Sequence, residues 1–424
     1  MNNKIKVAVI GLGYVGLPLA VIINKNKKYS VAGYDLSKEK ISMIRKGLSP
    51  IKDDLVDKEL KNNKLNISDS ENILKNSDIF IICVPTPIDS ASEPNYKPLE
   101  YAAKTIVKYL KKGNTVIVES TVNPGACEEV VLPILESKKL KGKTDFILAH
   151  CPERINPGDK KWNVTNIPRN VGTQNKKDCK KVANFYRDII KANVNEMETL
   201  KEAEATKIIE NTFRDINIAY VNELAMSFDK LGINLVNVLK GAANKPFAFM
   251  AHFPGCGVGG HCIAVDPYYL IKRAKQVGFD HHFLKVAREV NNYMPRYTVE
   301  RLIKGLNCIG KSIKNSRIAI LGLSYKNNIG DLRESPALKI IEILEKEYLA
   351  KLNIFDPYFP AKSTHKKLDQ ILKESEAIIL SAGHKEFLKA DYNKYEKIKL
   401  IIDGRNCLDK DRINNKILYF GIGR

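Results

Sequence analysis

The residues best suited to chemistry lie in one glycine-rich stretch, from Phe253 to Tyr269, which reads FPGCGVGGHCIAVDPYY. Cys262 lies between glycines and a following aspartate, so we expect its thiol to be presented in a loop rather than packed in a core. Three explanations compete: a metal site, a purely structural loop and a nucleophile. A structural loop has no need of a thiol, whereas a nucleophilic thiol needs donors or positive charge nearby to stay ionised.

A metal site is the weakest of these explanations. The side chains that could ligate an ion are Cys256, His261, Cys262, Asp266 and His252. The two cysteines have five residues between them, which is not a common zinc spacing, and no second pair completes a structural site. We therefore expect no metal.

A second set of polar residues recurs at helical spacing. No glycine or proline interrupts the chain from Thr199 until Gly232, which predicts one long helix that ends at a glycine. One face of this helix carries Glu204, Lys207, Asn211 and Arg214, and the opposite face carries Ile208, Ile209, Phe213 and Ile216. A solvated polar side explains this pattern as well as a catalytic stripe does. Apolar residues return further along the polar face, at Ile218, Val221 and Ala225, which favours a local stripe that opens onto a cavity.

The N-terminal stretch VAVIGLGYVG has the spacing of a dinucleotide-binding turn. Gly11, Gly13 and Gly16 follow a strand and open a helix, which is the context that a GxGxxG motif requires. Asp35 ends the second strand, nineteen residues after Gly16. A carboxylate there accepts hydrogen bonds from an adenosine ribose and repels a 2′-phosphate, which predicts NAD rather than NADP. The alternative interpretation of Asp35 is a helix N-cap.

Strand and helix signals alternate in the first third of the chain and again in the last third, which indicates parallel sheets with crossover helices. Helical patterns fill the middle. The fold class is therefore predicted to be α/β, with two Rossmann-like doubly wound domains joined by a long-helix central domain. The predicted domains are an NAD-binding domain at 1–198, a helical central domain with the cysteine loop at 199–308, and a second Rossmann-like domain at 309–424.

Composition narrows the class of protein further. A chain of 424 residues is too long for one core. No apolar run approaches the ~20 residues that span a bilayer, and the N-terminus lacks signal-peptide anatomy, so we expect a cytoplasmic protein without a membrane partner. Eight scattered cysteines indicate free thiols. The formal charge of +21 comes from lysines spread along the chain, without a nucleic-acid-binding signature, so no nucleic acid is expected as a partner.

Eight motifs together resemble one family, the nucleotide-sugar 6-dehydrogenases of the UDP-glucose/GDP-mannose dehydrogenase family. In order they are GLGYVGLPLA, CVPTP, ESTVNPG, CPERINPG, EAEATKIIENTFRDINIAYVNELA, PGCGVGGHCIAVDPYYL, LGLSYKNNIGDLRESPA and DGRN. The wording NTFRD and GGHCIAVDPYYL is most similar to the enzymes that act on UDP-N-acetylhexosamines. NKPFAFM looks like the UDP-N-acetylglucosamine branch, and KPFAFMAHF lacks the His and Arg pattern of the UDP-N-acetylmannosamine branch.

The resemblance implies a four-electron oxidation of the sugar C6 alcohol to a carboxylate, with two NAD molecules reduced in turn. Cys262 matches the nucleophile that captures the C6 aldehyde as a thiohemiacetal and then forms a thioester. The other catalytic matches are Lys207 and Asn211 for oxyanions and proton movement, Glu153 for general acid–base work, Asp266 for positioning water, and Thr121 beside the nicotinamide.

The same resemblance assigns binding residues. Those matched to the cofactor are Gly11, Gly13, Tyr14, Val15, Gly16, Asp35, Lys40, Pro85, Thr86, Ser120, Thr121 and Arg333. Those matched to the UDP-sugar are Arg154, Lys207, Asn211, Arg214, Gly259, Tyr325, Lys326 and Arg405. Outside the motif context, the alternative for each arginine is a surface ion pair.

Three further expectations follow from the resemblance. A homodimer should pair across the helical domain, and the product should serve surface polysaccharide or glycan precursor synthesis. Cys256 departs from the family, where a proline is usual. Alternative substrates are UDP-N-acetylmannosamine and UDP-glucose. Rival classes are a two-electron NAD dehydrogenase of the 6-phosphogluconate type, which does not need Cys262, and a non-catalytic nucleotide-binding module.

Overall fold

The computed structural model describes residues 4–51, 53–89, 93–155, 161–260 and 262–424. The backbone divides into two compact units. The first comprises Met1–Glu210 and Tyr268–Gly278, and the second comprises Asn211–Pro267 and Phe279–Arg424. The predicted division at 198 and 308 stays a prediction.

The first unit contains, within its described residues, one sheet of eight strands. The strands are β1 (Ile5–Ile10), β2 (Tyr29–Tyr34), β3 (Asn66–Ser68), β4 (Ile79–Ile82), β5 (Thr115–Val118), β6 (Ile147–His150), β7 (Arg169–Thr173) and β8 (Val194–Glu196). Their order is β3-β2-β1-β4-β5-β6-β7-β8, and all neighbours are parallel except β6 and β7. Runs of Val, Ile and Ala form the central strands because both faces of a parallel sheet are covered.

Helices cover this sheet in the doubly wound manner. They are α1 (Gly16–Lys25), α2 (Lys38–Arg45), α3 (Asp54–Asn62), α4 (Lys97–Val107), α5 (Leu132–Leu135) and α6 (Lys176–Ile189). The strand order reverses direction between β1 and β4. In open α/β sheets ligands bind outside the carboxyl ends of the strands at such a switch point, so the turn after β1 and the segment after β4 frame the expected cofactor crevice.

The second unit contains a smaller parallel sheet. Its described strands are β9 (Arg317–Leu321), β10 (Lys351–Phe355), β11 (Ala377–Leu380), β12 (Leu400–Asp403) and β13 (Leu418–Gly421), in the order β10-β9-β11-β12-β13. The remaining helices are α7 (Leu200–Leu231), α8 (Leu235–Ala242), α9 (Asp266–Gln276), α10 (His282–Cys308), α11 (Pro336–Tyr348), α12 (Leu368–Glu374) and α13 (Lys385–Lys389). The predicted fold class is confirmed. Among the described residues, no helix combines the length and the apolarity needed to cross a membrane.

Helix α7 has the predicted length, but its predicted polar face is partly buried and its predicted apolar face is partly exposed. In the polar stripe, Glu204 is 1% exposed and Asn211 is 9% exposed. On the apolar face, Ile209 is 59% exposed and Phe213 is 45% exposed. A simple solvated polar side is therefore the wrong interpretation of the stripe, although Arg214 at its end is exposed.

The glycine turn of the first sheet is repeated in the second sheet. After β1, Gly11 has φ +92° and its N–H donates to the Tyr34 carbonyl over 2.8 Å. After β9, Gly322 has φ +92° and its N–H donates to the Phe355 carbonyl over 2.8 Å. In each turn the next residue donates its N–H to an aspartate at the end of the neighbouring strand. These donors are Leu12 to Asp35, over 2.8 Å, and Leu323 to Asp356, over 2.6 Å.

The second of these aspartates is enclosed by its own unit. Asp356 Oδ2 also accepts the Ser324 N–H at 2.9 Å and the Ser324 hydroxyl at 3.0 Å, and it lies 3.2 Å from His384 Nε2. Burial alone would raise the pKa of Asp356, but the hydrogen bonds from His384 and the backbone hold it below its usual value. Asp356 is therefore an internal acceptor that fixes the loop after β9.

We predict that Asp356→Asn destabilises the second unit. An amide nitrogen would face donors that now bind a carboxylate, at a cost of about 3 kcal/mol, so the melting temperature should fall by roughly 6–12 °C. The control is Asp369→Asn, because Asp369 makes only exposed contacts with Lys373 and Tyr395. Differential scanning calorimetry compares the two variants, and equal melting temperatures would contradict the assignment.

Candidate active site

The three glycines of the first turn are required for different reasons. A Cβ at Gly11 would lie 2.7 Å from the Cys83 carbonyl oxygen, and one at Gly16 would lie 1.9 Å from the Gly11 carbonyl oxygen. A Cβ at Gly13 would meet no atom within 4 Å. The first two glycines are therefore needed by the fold itself, whereas Gly13 leaves an open approach to the backbone. That opening lies at the start of α1, where Tyr14 is exposed and Val15 makes no side-chain cap, so helix N–H groups are available to a pyrophosphate.

Asp35 is tied to the glycine turn and does not cap a helix. Its Oδ2 accepts the Leu12 N–H at 2.8 Å, and its Oδ1 accepts the Ser37 N–H at 2.9 Å. Ser37 is the residue that caps α2, through the Lys40 N–H. The alternative interpretation of Asp35 as an N-cap is therefore wrong. Lys40 Nζ lies 3.3 Å from Asp35 Oδ2, which places both predicted residues beside the turn.

Two loops at the ends of β4 and β5 are joined by hydrogen bonds. The Thr86 hydroxyl donates to the Thr121 carbonyl over 2.7 Å, and the Ser120 hydroxyl donates to the Val84 carbonyl over 2.7 Å. The Tyr269 hydroxyl donates to the Thr86 carbonyl over 2.5 Å. Pro85 is exposed and Thr121 is half-buried between these anchors. The predicted residues after β4 and β5 thus form one continuous wall.

The predicted acid–base residue, Glu153, is buried rather than presented to solvent. Its Oε1 accepts the N–H groups of Arg154 and Ile155, at 2.5 Å and 2.6 Å. Its Oε2 lies 2.6 Å from a guanidinium nitrogen of the fully buried Arg169. The same guanidinium lies 3.4 Å from Glu119 Oε2. This arrangement links Glu153 to a second buried acid that sequence motifs did not single out.

The first turns of α7 are fixed by Glu204. Its carboxylate oxygens accept the Gly125 N–H at 2.5 Å and the Cys127 N–H at 2.8 Å, in the segment that follows Thr121. Burial raises the pKa of Glu204 to about 6, against these backbone hydrogen bonds. The Lys207 charge in turn affects the interior of the unit, because it adds to burial in lowering the pKa of His150 to about 3.

In the second unit, two predicted catalytic residues meet. The Asn211 side-chain amide donates to Asp266 Oδ2 over 2.6 Å, and both side chains are buried. Cys262 is exposed. Its carbonyl accepts the Asp266 N–H at 2.8 Å, so Cys262 lies one turn before the first residue of α9. Amide dipoles at a helix N-terminus favour a thiolate. His261 lies outside the described residues.

The glycines of the cysteine loop pack against Tyr325. A Cβ at Gly259 would lie 2.6 Å from Tyr325 Cβ, and one at Gly260, where φ is +87°, would lie 2.7 Å from the Tyr325 ring. The Gly260 N–H donates to the Arg333 carbonyl over 2.9 Å. Arg333 forms an ion pair with Asp331, and this pair is the main reason that the pKa of Arg333 is raised. The nearby Cys262 contributes to the same shift. A cation therefore lies close enough to the thiol to interact with it.

Arg405 joins three backbone segments of the second unit. Its guanidinium donates to the carbonyls of Ser381 at 2.8 Å, Gly257 at 3.3 Å and Tyr325 at 3.3 Å. The half-buried Lys326 follows Tyr325 directly. Arg405 thus fixes the cysteine loop relative to the segment that carries Lys326.

The two arginines predicted to touch the sugar differ in surroundings. Arg154 pairs with Glu210, with Nε–Oε2 at 3.0 Å and Nη2–Oε1 at 2.5 Å, and donates to the Pro168 carbonyl. Arg214 is exposed. Arg154 therefore already has an ion-pair partner, whereas the Arg214 side chain reaches solvent.

Cys256 differs sharply from Cys262. It is fully buried in an apolar cluster with Leu302 and Ile379, its N–H donates to the Gly404 carbonyl over 2.8 Å, and burial raises the pKa of its thiol. Across the described residues, no group of three or more His, Cys, Asp or Glu side chains is arranged to hold a metal ion. The cysteine that replaces the usual proline is thus a core residue.

Sequence reasoning missed Glu119 and Arg169 and assigned Glu204 no role. Each forms contacts between residues distant in the chain, so local spacing contained no signal for the pairing. For Glu119, the position directly before the Ser-Thr pair at a strand end was the available clue. For Glu204, it was the continuation of the polar stripe by one helical turn.

Comparison with known proteins identifies one family. Three domain descriptions of one family match in chain order: the UDP-glucose/GDP-mannose dehydrogenase family NAD binding domain at residues 5–190, its central domain at 201–293, and its UDP binding domain at 319–410.

Individual relatives match over almost the full length. UDP-N-acetyl-D-glucosamine 6-dehydrogenase of Pseudomonas aeruginosa is 38% identical, over 97% of this chain and 99% of the relative. UDP-N-acetyl-D-mannosamine dehydrogenase of Pyrococcus horikoshii is 35% identical, over 99% of both chains. A solved structure of UDP-D-ManNAc dehydrogenase from Pyrococcus horikoshii superposes with a TM-score of 0.92 at 34% identity, covering 99% of each chain. The chain therefore belongs to the UDP-glucose/GDP-mannose dehydrogenase family, and it is an NAD-dependent nucleotide-sugar 6-dehydrogenase.

Proposed function

We propose that the protein oxidises the C6 alcohol of a UDP-N-acetylhexosamine, with UDP-N-acetylglucosamine favoured, to the uronic acid. The observation that carries this proposal is that Cys262 is exposed just before α9. Asp266 follows it four residues later and accepts a hydrogen bond from the Asn211 side chain. A dehydrogenase that stops at two electrons needs no nucleophile there. The wording of NKPFAFM supports the glucosamine branch, while the mannosamine relative keeps UDP-N-acetylmannosamine as the second candidate.

The cofactor supplies the hydride acceptor for each of the two oxidation steps. Gly13 would leave room for its pyrophosphate, the α1 amides would face that charge, and Asp35 would accept hydrogen bonds from its adenosine ribose. Lys40, beside Asp35, orients this carboxylate. Pro85, Thr86, Ser120 and Thr121 would hold the nicotinamide half of the cofactor, and Arg333 is a further proposed cofactor contact.

Chemistry at the sugar then proceeds through Cys262. After the first hydride leaves C6, the alcohol proton passes to a base, for which we propose Glu153 with Lys207. The Cys262 thiolate forms a C–S bond to the aldehyde carbon, and the oxygen takes up a proton to give a thiohemiacetal. Loss of a second hydride and that proton gives a thioester. Water attacks the thioester, the C–S bond breaks, and the thiolate returns as the carboxylate product forms.

The neighbours of Cys262 support these steps. Asn211 uses one amide N–H on Asp266 at 2.6 Å, and its second N–H is suited to an oxyanion at C6. Asp266, held in place by that bond, is proposed to position the hydrolytic water. Gly259, Tyr325, Lys326 and Arg405 are proposed to hold the UDP group, with Arg405 acting through the loops that it joins, and Arg154 and Arg214 to contact the sugar.

The proposal extends to the location of the enzyme, the use of its product and its oligomeric state. We propose a cytoplasmic enzyme whose uronic acid product enters surface polysaccharide or glycan precursor synthesis. We also propose a homodimer that pairs through the helical domain. Large apolar side chains of the second unit are exposed there, and they include Phe213, Tyr220, Phe247, Phe253 and Phe283.

Cofactor preference tests the role of Asp35. NADP should be a poor cofactor for the wild-type enzyme, because its 2′-phosphate would meet a carboxylate. Asp35→Asn should lower the ratio of kcat/KM for NAD to kcat/KM for NADP by about tenfold, the equivalent of about 1.4 kcal/mol. The control is Asp53→Asn, which retains the cap of α3 and does not face the glycine turn. Equal activity of the wild-type enzyme with both cofactors would refute the assignment.

The oxidation itself is tested by stoichiometry. We expect two NADH per sugar with UDP-N-acetylglucosamine as the best substrate in a panel with UDP-N-acetylmannosamine, UDP-N-acetylgalactosamine and UDP-glucose. Cys262→Ala should abolish NADH formation beyond any aldehyde-level turnover, and Cys262→Ser should accumulate an ester that mass spectrometry detects. Cys256→Ser is the matched control and should keep the stoichiometry of two. Inactivation by iodoacetamide that tracks Cys256 while Cys262 stays free would overturn the proposal.

Oligomeric state is tested by light scattering at micromolar concentration. The wild-type protein should have the mass of a dimer, twice 47.7 kDa. Phe213→Glu together with Tyr220→Glu should shift it to monomer, because two charges would replace apolar surface at the interface. Leu349→Glu, on the exposed end of α11, should leave the dimer intact. A monomeric wild-type protein would exclude the proposed pairing.

A further inference from the structure

Arg169 is a fully buried cation shared by two buried carboxylates. It begins β7, while Glu119 follows β5 and Glu153 lies three residues beyond β6. Its Nη2 is 2.6 Å from Glu153 Oε2, and its Nη1 is 3.4 Å from Glu119 Oε2. The Tyr186 hydroxyl donates to the other Glu119 oxygen over 2.5 Å. These four residues form a closed cluster, which we call the Arg169 cluster.

The charges of this cluster do not balance without a proton. Two carboxylates and one guanidinium leave one net negative charge, which is costly in a buried site. Burial, and then the neighbouring Glu153, raise the pKa of Glu119 to about 7, although Arg169, Tyr186 and Lys207 act in the opposite direction. One proton shared by the two acids therefore neutralises the cluster near neutral pH.

Glu153 itself is anchored more firmly than Glu119. Two backbone N–H groups, from Arg154 and Ile155, bind its Oε1 in addition to the contact of Arg169 with Oε2. Glu153 therefore has more donors than Glu119, and the shared proton is assigned to Glu119, whose pKa is raised. The titratable or charged groups that act on this pair are Cys83 after β4, Cys151 after β6, Arg169 on β7, Tyr186 on α6 and Lys207 on α7.

We propose that Arg169 and Glu119 are positioning residues for the acid–base step: Arg169 holds the Glu153 carboxylate in place, and Glu119 takes the proton that leaves this carboxylate ionised. The inference rests on the proposed function, because that function gives Glu153 its acid–base role. Glu119 directly precedes Ser120 and Thr121, so the cluster adjoins the wall proposed for the nicotinamide.

The test is the pH dependence of kcat from pH 5 to pH 9. In Glu119→Gln, the neutral amide imitates the protonated acid, so the acidic limb should stay in place. In Arg169→Lys, the shorter side chain cannot contact both acids, so the limb should move up. KM for the UDP-sugar should stay within about twofold in both variants, since neither residue is proposed to touch substrate.

The control for a purely structural effect is Asp215→Asn. Asp215 is a buried carboxylate paired with the buried Arg288 over 2.6 Å in the other unit, so its loss should lower the melting temperature without moving the limb. If the wild-type enzyme is active and Glu153→Gln removes the limb, an unmoved limb in Arg169→Lys, or a moved limb in Glu119→Gln, overturns this inference alone. If no sugar yields two NADH in the wild type, the proposed function fails instead.

A second readout does not depend on activity. Because the folded-state pKa of Glu119 is raised from 4.5 to about 7, its stabilising contribution is complete below about pH 4.5 and is lost as the pH rises through 7. The wild-type melting temperature should therefore fall relative to that of Glu119→Gln between pH 5 and pH 8. A constant difference across this range would contradict the shared proton.

Discussion

Both sheets are parallel apart from the antiparallel pair of β6 and β7, and parallel strands that are covered on both faces present polar side chains mainly where the strands end. This constraint decides where chemistry is possible in the chain. Asp35 follows β2, Thr86 follows β4, Glu119 follows β5 and Glu153 follows β6. All four belong to one edge of one sheet, although up to 118 positions separate them in the chain. The fold therefore gathers these four polar residues at one edge of the sheet.

Polar groups brought to such an edge must still be satisfied, and the structure achieves this in two ways. The carboxylates of Asp35 and Glu204 accept backbone N–H groups of turns, which fixes the turns as much as the acids. The buried acids at Glu119 and Glu153 instead share a guanidinium. Each carboxylate that accepts backbone N–H groups needs only one turn beside it, whereas the shared guanidinium requires three strand ends at once. Loss of one partner would leave a buried charge uncompensated.

What the sequence could predict follows from this difference. The glycine turn, Asp35, the strand alternation and the length of α7 depend on residues close in the chain, so their spacing was informative. Periodicity also identified the polar stripe of α7, but it could not say which face is buried, because that depends on what packs there. The burial of Cys256 and the partners of Arg169 involve residues far apart in sequence, and no local pattern encodes them. The Asn211–Asp266 contact joins two motif residues across 55 positions, which the motifs named but could not pair.

The repeated glycine turn has a consequence for ligand design. In the first sheet, Asp35 keeps its carboxylate beside an open glycine, while in the second sheet Asp356 Oδ2 is already surrounded by Leu323, Ser324 and His384. A compound whose vicinal diol donates hydrogen bonds to a carboxylate at a strand end would therefore bind beside Asp35 and not beside Asp356. Competition by such adenosine mimics should saturate at one equivalent, even though the glycines of the two turns share the same φ and the same type of backbone hydrogen bond.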